Sequence, residues 1–353
     1  MPTNRLYYAC EAVQINGPSG ISNKNPAYDT IQGLQSVGIN TNFNLEPIYQ
    51  LGQLDLYDNY EEIPEVEISL SKVLDGQPTI YMMAMGTGTL VSLANNRCGV
   101  RLLLYPDTNT TADGVPIAAV ECAPAYLSSV NYTFPTEGNF TEEVSIVSND
   151  KTWLTGLSTI SGAPATSSAA GLGIARRGLW NKSATVMPTG TGGDASLQSV
   201  SGGIPGNMKL QSVKVSLNLG REQLRELGSR TPYLRYVKFP VEVTTEIEVT
   251  ANTGDMVGVA GSTSAACSNP KALTDKAIKI ALCDGMTLDL GAKNKLTSVN
   301  FNAGDTGGSN ATITYSYRGY SAFTYTGPTG TIAGITPFSG ETGVVESGLP
   351  TDF

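Results

Sequence analysis

The chain repeats itself, and that repeat constrains its fold more than any other feature. At a constant offset of 176 residues, Leu34, Gln35, Ser36, Val37, Asn42, Glu46, Leu51, Gly52, Tyr57, Tyr60 and Pro64 recur as Leu210, Gln211, Ser212, Val213, Asn218, Glu222, Leu227, Gly228, Tyr233, Tyr236 and Pro240. These are 11 identities in 31 positions, where unrelated segments share about two. A second match closes each copy. Leu127-Ser128-Ser129-Val130-Asn131-Tyr132 answers to Leu296-Thr297-Ser298-Val299-Asn300-Phe301. Each is followed by a Gly-containing turn, Gly138 or Gly307, and by renewed alternation in Glu143-Val144-Ser145-Ile146 or Thr312-Ile313-Thr314-Tyr315. Openings and closings that match in the same order mean duplication of a whole domain. Two like domains in one chain suit a subunit that supplies two adjacent places in a symmetric assembly.

The repeated elements read as strands. Val213, Val215, Leu217 and Leu219 alternate with Lys214, Ser216 and Asn218, so one face is buried. In the first copy Val37, Ile39 and Phe43 point inward, Thr41 fills the fourth place, and Asn40 and Asn42 point outward. A second strand follows each Pro. Val241, Val243, Ile247 and Val249 oppose Glu242, Thr244, Glu246 and Glu248, as Val66, Ile68 and Leu70 oppose Glu65, Glu67 and Ser69. Ungapped alignment puts these two strands out of phase, which would flip every side chain. One inserted residue near Pro240 restores the phase and predicts a bulge or longer turn there. Between the strands, Glu46 to Gly52 and Glu222 to Gly228 form either a single helical turn closed by Gly or an irregular crossing at the tip of a long hairpin.

These patterns divide the chain into a first β-domain over 1–155, a Gly/Ser-rich linker or arm over 156–207, a second β-domain over 208–330 and an extension over 331–353. Within the linker, Arg176 to Lys182 has apolar anchors that could add a first strand to the second domain. High Gly (39) and Pro (19) with only 15% charged residues favour strands and turns over a helical bundle.

Composition also excludes chemistries. There is no histidine, which removes the commonest general base and metal ligand. Cys10, Cys98, Cys122, Cys267 and Cys283 are odd in number and form no CxxC, so they read as small buried or half-buried thiols rather than a disulfide or zinc framework. Gly86-Thr87-Gly88 and Gly190-Thr191-Gly192-Gly193 are not followed by GK[ST] and are not phosphate loops. Adjacent acids such as Glu61-Glu62 and Glu142-Glu143 point to opposite faces of a strand and make no acid/base pair. The reading is therefore no enzyme, no cofactor and no metal. A net charge of −9 argues against a nucleic-acid grip. No apolar run approaches a membrane span, and Met1 to Val13 lacks the apolar core of a signal peptide.

A family resemblance enters with Phe43 to Gly52, Leu56-Tyr57, Ile63-Pro64-Glu65-Val66-Glu67-Ile68, Lys72 to Gly76, Tyr126 to Pro135 and Asn149-Asp150-Lys151. In that order they resemble the tail tube proteins of tailed bacteriophages. The resemblance covers most of the first copy and, through the repeat, the core of the second. It implies a mostly-β fold: two tandem β-sandwich or barrel domains, each with a long hairpin and a short flanking helix. Single-domain members form six-fold rings, so a duplicated chain is expected to form a three-fold ring of six quasi-equivalent domains. Such rings stack into a tube through which genome DNA passes without being held. The implied partners are other copies of the chain, a tape-measure protein, baseplate and neck proteins and, in a contractile tail, a sheath protein. The implied location is the virion tail, assembled in the host cytoplasm. Two other readings stand beside it: a capsid-surface or fibre adhesin with tandem β-domains, and the tube of a related contractile injection system.

Within that reading Glu65, Glu67, Glu242, Glu246 and Glu248 are the candidate lumen face, an acidic wall that offers DNA no sticking points. A solvated outer face is the plainer alternative. The copies also differ in charge. Glu46, Asp55, Glu61 and Glu62 in the first contrast with Arg221, Arg225, Arg230 and Arg235 in the second. These eight are the candidate subunit interface, setting register between neighbours, against the alternative of independent surface drift.

Overall fold

The computed structural model describes residues 8–17, 28–90, 96–106, 115–155, 173–188, 204, 208–252, 254, 257, 275–304 and 310–328. Most of the 156–207 segment and all of 331–353 lie outside the described residues. The fold is mostly β. The first copy contains β1 (Glu11–Asn16), β2 (Asp29–Thr30), β3 (Leu34–Asn42), β4 (Leu45–Tyr49), β5 (Leu56–Glu61), β6 (Glu65–Val73), the helix α1 (Ile80–Met85), β7 (Cys98–Leu104), β8 (Ala118–Pro135), β9 (Thr141–Ser148) and β10 (Thr152–Thr155). The second contains β11 (Lys209–Asn218), β12 (Arg221–Leu224), β13 (Leu234–Val237), β14 (Glu242–Thr250), β15 (Lys279–Ala281), β16 (Thr287–Asp289), β17 (Lys295–Asn302), β18 (Thr312–Tyr320) and β19 (Thr324–Thr326).

Each copy builds the same four-stranded antiparallel unit. In the first the order is β3-β6-β9-β8, and in the second β11-β14-β18-β17. The duplication reaches the irregularities. Register slips between Leu34 and Ser36 in β3, and between Leu210 and Ser212 in β11. It slips again between Leu127 and Ser129 in β8, and between Leu296 and Ser298 in β17. The irregularities thus fall at matching places in the two copies, where an extra residue bends the strand and sharpens its twist. The inserted residue is Val241. β6 starts directly after Pro64, whereas β14 starts one residue later after Pro240. Val66, Ile68 and Leu70 then match Val243, Thr245 and Ile247 in facing the core.

The segment from Glu46 to Gly52 is not helical. It forms β4 and the turn into β5, extending the β3/β6 hairpin, and β12 and β13 repeat this in the second copy. Glu46 pairs with Tyr60 as Glu222 pairs with Tyr236. Gly52 and Gly228, at φ of 88° and 92°, close the equivalent turns in a conformation costly for side chains with a Cβ.

Most buried apolar side chains of both copies form one continuous core, with a smaller cluster of Ala12, Leu103, Tyr105 and Ala119 apart from it. Phe323 of the second copy packs edge-on to Tyr81 (5.1 Å between centroids) and stacks on Tyr132 (6.3 Å) of the first. The N-terminal half of β8 leaves the four-stranded unit to pair with β7 and β10, and β1 and β2 continue that layer. β15, β16 and β19 form a small sheet over the second copy. Arg176 to Lys182 adds no strand. It forms a 3-10 turn at Arg177–Leu179, and Trp180 and Val186 make single bridges to Leu282 and Lys279.

The flanking helix of the first copy is α1. Thr79 caps its start, accepting the Met82 N–H, and Gly86 ends it at φ 68°. Glu142 holds its first turn from below. One carboxylate oxygen accepts the Ile80 N–H (2.7 Å), the other the Tyr81 N–H and the Tyr132 hydroxyl (both 3.0 Å). Burial pushes this carboxyl above the usual carboxylate range. Lys72 is also buried and pairs with Asp75 at 2.9 Å. By register, Lys72 and Glu142 occupy the places of Val249 and Ile313, both buried, in the second copy. No second α-helix is present among the described residues. The stretch where a counterpart to α1 would fall, from about residue 257, is largely outside them.

Candidate functional site

The feature that sets this molecule apart is the join between its copies. β8 carries β9 on one side and β11 on the other. The two four-stranded units therefore fuse into one wall of order β3-β6-β9-β8-β11-β14-β18-β17. At the join Val213 opposes Phe134, Val215 opposes Tyr132 and Leu217 opposes Val130, and all six are buried. The Leu219 N–H donates to the Ser128 carbonyl and the Thr136 N–H to the Gln211 carbonyl, both at 2.9 Å. Backbone groups alternate in direction along a strand. The odd-numbered residues of β11 therefore point theirs at β8, and the even-numbered ones at β14.

The wall ends at β3 on one side and β17 on the other, and among the described residues neither has a second neighbour. β3 is the counterpart of β11 and β17 that of β8, so the two open edges are the two halves of the join. Their exposure shows what a neighbour would cover. Phe301 is 46% exposed, whereas its counterpart Tyr132 is 1% exposed. Phe43, expected inward from the alternation, is 66% exposed, whereas its counterpart Leu219 is fully buried. Phe43 follows the last residue of β3, and no described strand pairs with β3 on its open side.

The two hairpin tips differ in the same way. β12 and β13 of the second copy lie against the first copy through arginines. Arg235, 2% exposed, donates to Asn149 Oδ1 through Nε (3.1 Å) and Nη2 (2.8 Å) and to Glu65 through Nη1 (3.0 Å). Arg230 donates to the Glu61 carbonyl (2.7 Å), Arg225 pairs with Glu62 (3.3 Å), and Arg221 donates to the Leu127 carbonyl (2.7 Å). Arg221 also sits 5.6 Å over the Tyr126 ring, and burial lowers its pKa to about 10. The β4/β5 tip of the first copy is exposed along its whole length, including Leu45, Tyr49, Leu51, Leu54, Tyr57 and Tyr60.

Six of the eight charged residues read as an interface are thus brought together inside one chain, at the junction of the copies. These are Glu61, Glu62, Arg221, Arg225, Arg230 and Arg235. Glu46 and Asp55 stand apart on the exposed tip, with no ion pair to these arginines. The five acids read as a lumen face lie on one face of the wall, opposite the core, because each alternates with buried neighbours in β6 or β14. Glu242 is paired with Arg318 (2.7 Å), and Glu67 and Glu248 accept from Ser145 and Ser212. On that face Glu65, Glu67, Glu143, Glu242, Glu246 and Glu248 outnumber Lys209, Lys214, Lys295 and Arg318. Ser, Thr and Asn fill most of the rest.

Sequence reasoning missed Asn149, the hub for Arg235, and the β8–β11 join itself. The signal for the join was the length of β8, 18 residues, far more than one hairpin partner uses. Among the described residues no cluster of His, Cys, Asp or Glu could hold a metal ion, and no helix is long and apolar enough to cross a membrane. Cys10, Cys98 and Cys122 are buried and Cys283 is exposed, while Cys267 lies outside the described residues. Burial pushes the Cys98 thiol up to about 12.

No protein-family model and no curated protein matches the chain. Among solved structures it is similar to a chain of the six-fold symmetrised cryo-EM structure of the anti-feeding prophage baseplate. That match has 10% identity and a TM-score of 0.31, and it spans 44% of this chain and 98% of the other. A likeness that slight assigns neither fold nor function.

Proposed function

We propose that this chain is the ring-forming subunit of a phage-type tail tube, three chains closing a ring and stacked rings forming a conduit for DNA. One observation carries the reading. The chain already joins its two copies by edge pairing, and among the described residues the matching edges at its two ends are unpaired. An open sheet edge invites pairing, and closure into a barrel removes it.

Barrel geometry favours three chains. Strands about 4.8 Å apart, tilted by about 40°, give 24 strands a barrel about 48 Å across and a lumen of about 35 Å inside the side chains. Two chains would leave only about 20 Å by the same arithmetic, roughly the width of duplex DNA itself. The polar, carboxylate-rich face of the wall then lines the lumen, where it repels the phosphate backbone and offers no apolar foothold. In this account the partners are further copies of the chain, a tape-measure protein and the proteins at the two ends of the tube, with assembly in the host cytoplasm into the virion tail. A tube of a contractile injection system would use the same ring.

Electron microscopy of the purified protein tests the reading. Hollow rings or tubes with three-fold symmetry are expected. Compact monomers that never polymerise, even with tape-measure or baseplate components present, would favour the adhesin.

A further inference from the structure

We infer that β17 of one chain pairs antiparallel with β3 of a second copy in one defined register, with Thr41 opposite Val299 and Asn40 opposite Asn300, and that the β4/β5 tip of the second copy docks on the first chain beside Lys238. The inference rests on the self-assembly reading and adds to it the residues that meet.

The register follows from the join inside the chain. There Ser216 opposes Asn131 and Leu217 opposes Val130. The repeat carries Ser216 to Asn40 and Leu217 to Thr41. The closing motif carries Asn131 to Asn300 and Val130 to Val299. Transposed, Ile39 opposes Phe301 and Asn42 opposes Ser298. The side chains agree with this placement. Val37, Ile39, Thr41 and Val299 are each only partly buried, where Val213, Val215, Leu217 and Val130 are fully buried. Odd-numbered residues of β11 aim their backbone groups at β8, so Val37, Ile39 and Thr41 aim theirs at the open edge.

The docking of the tip is transposed in the same way. In the chain, Thr231 and Glu62 line one crevice between the second tip and the first copy. Their counterparts are Asp55 and Lys238, which are opposite in charge. The exposed Leu54 precedes Asp55 on the tip and the exposed Tyr57 follows two residues on, and the exposed Phe239 lines one crevice with Lys238 on the surface that would receive it. The second copy meets the first through arginines and acids, whereas the first would meet its neighbour through leucines, tyrosines and one ion pair. That difference tells the two kinds of junction apart.

The test uses the full chain with Cys267 and Cys283 replaced by Ser. Asn40→Cys with Asn300→Cys, and Asn42→Cys with Ser298→Cys, are in-register pairs at non-hydrogen-bonded positions, where Cα atoms lie about 4.5 Å apart and a disulfide fits. Asn42→Cys with Asn300→Cys is offset by two residues and out of easy reach. Ser216→Cys with Asn131→Cys bridges within one chain and serves as the positive control. After mild oxidation, both in-register pairs are expected to give covalent dimers and trimers, and the offset pair at least about tenfold less. Rings in the microscope without in-register cross-links, or an offset pair that links equally well, would overturn the register while leaving the ring. In-register links in open chains without rings would uphold the pairing and overturn the ring. Neither links nor rings would overturn both.

Discussion

Arg235 should be the most expensive side chain to lose at the junction of the two copies. It is 2% exposed and makes three hydrogen bonds, two to Asn149 Oδ1 and one to Glu65. Hydrogen bonds to charged groups contribute about 1.5–3 kcal/mol each, and breaking a buried pair costs about 3–5 kcal/mol when the orphan charge stays buried. Here the Glu65 side chain is 40% exposed and regains water, so the lower end applies. Arg235→Met keeps the aliphatic stem and removes the fork, for an expected loss of about 2–4 kcal/mol. At about 1.4 kcal/mol per tenfold, hydrogen-exchange protection of the β12/β13 amides should fall about 30- to 1000-fold, while β14 and β18 change little. Arg225→Ala is the control, since Arg225 and Glu62 form an exposed pair worth about 0–0.5 kcal/mol. If Arg235→Met leaves the β12/β13 amides as protected as Arg225→Ala does, the second tip is not held by these contacts, and its use as the template for a neighbouring chain fails.

Three further outcomes are expected. Glu142→Ile copies Ile313 of the second copy but orphans the Ile80 and Tyr81 N–H groups and the Tyr132 hydroxyl, so denaturant titration should show a loss of about 3–5 kcal/mol. Burial raises the Glu142 carboxyl above its unfolded value. The folded state therefore binds the extra proton, and stability from this group grows as pH falls through the folded pKa towards the unfolded one. Glu142→Gln should flatten that dependence, and an unchanged pH profile would contradict it. Thr41→Pro removes an N–H aimed at the open edge and should leave the monomer folded by circular dichroism while abolishing polymers. Asn40→Pro, one residue away, strikes the ladder to β6 and should cost about 3 kcal/mol or more of stability. Equal behaviour of the two would mean that the direction of the β3 backbone is misassigned.

Much of the wall was legible because it obeys period two. Val213, Val215, Leu217 and Leu219 announced a half-buried strand, and the phase conflict after Pro240 located an inserted residue that proved to be Val241. The hairpin tips resisted reading. β4 and β5 are exposed on both faces, so no alternation separates Leu45, Ile48 and Tyr49 into inner and outer sets. Phe43 was expected inward because it continues the alternation of Val37, Ile39 and Thr41 and matches the inward-facing Leu219 of the repeat. The burial of Leu219 depends on the adjoining copy, and among the described residues Phe43 has no such neighbour. The charge contrast between copies was visible, but its geometry was not. Which Arg meets which Glu depends on β8 bringing a second edge beside β11, a long-range pairing that no local pattern encodes.

The most direct measurement is a reconstruction from electron micrographs of the assembled protein, resolved well enough to trace strands. The account predicts a closed wall of 24 strands around an open lumen, with β17 of each chain hydrogen-bonded to β3 of the next and Glu246 and Glu67 facing the passage. A particle in which those two edges stay unpaired, or whose wall encloses no passage for duplex DNA, would contradict it.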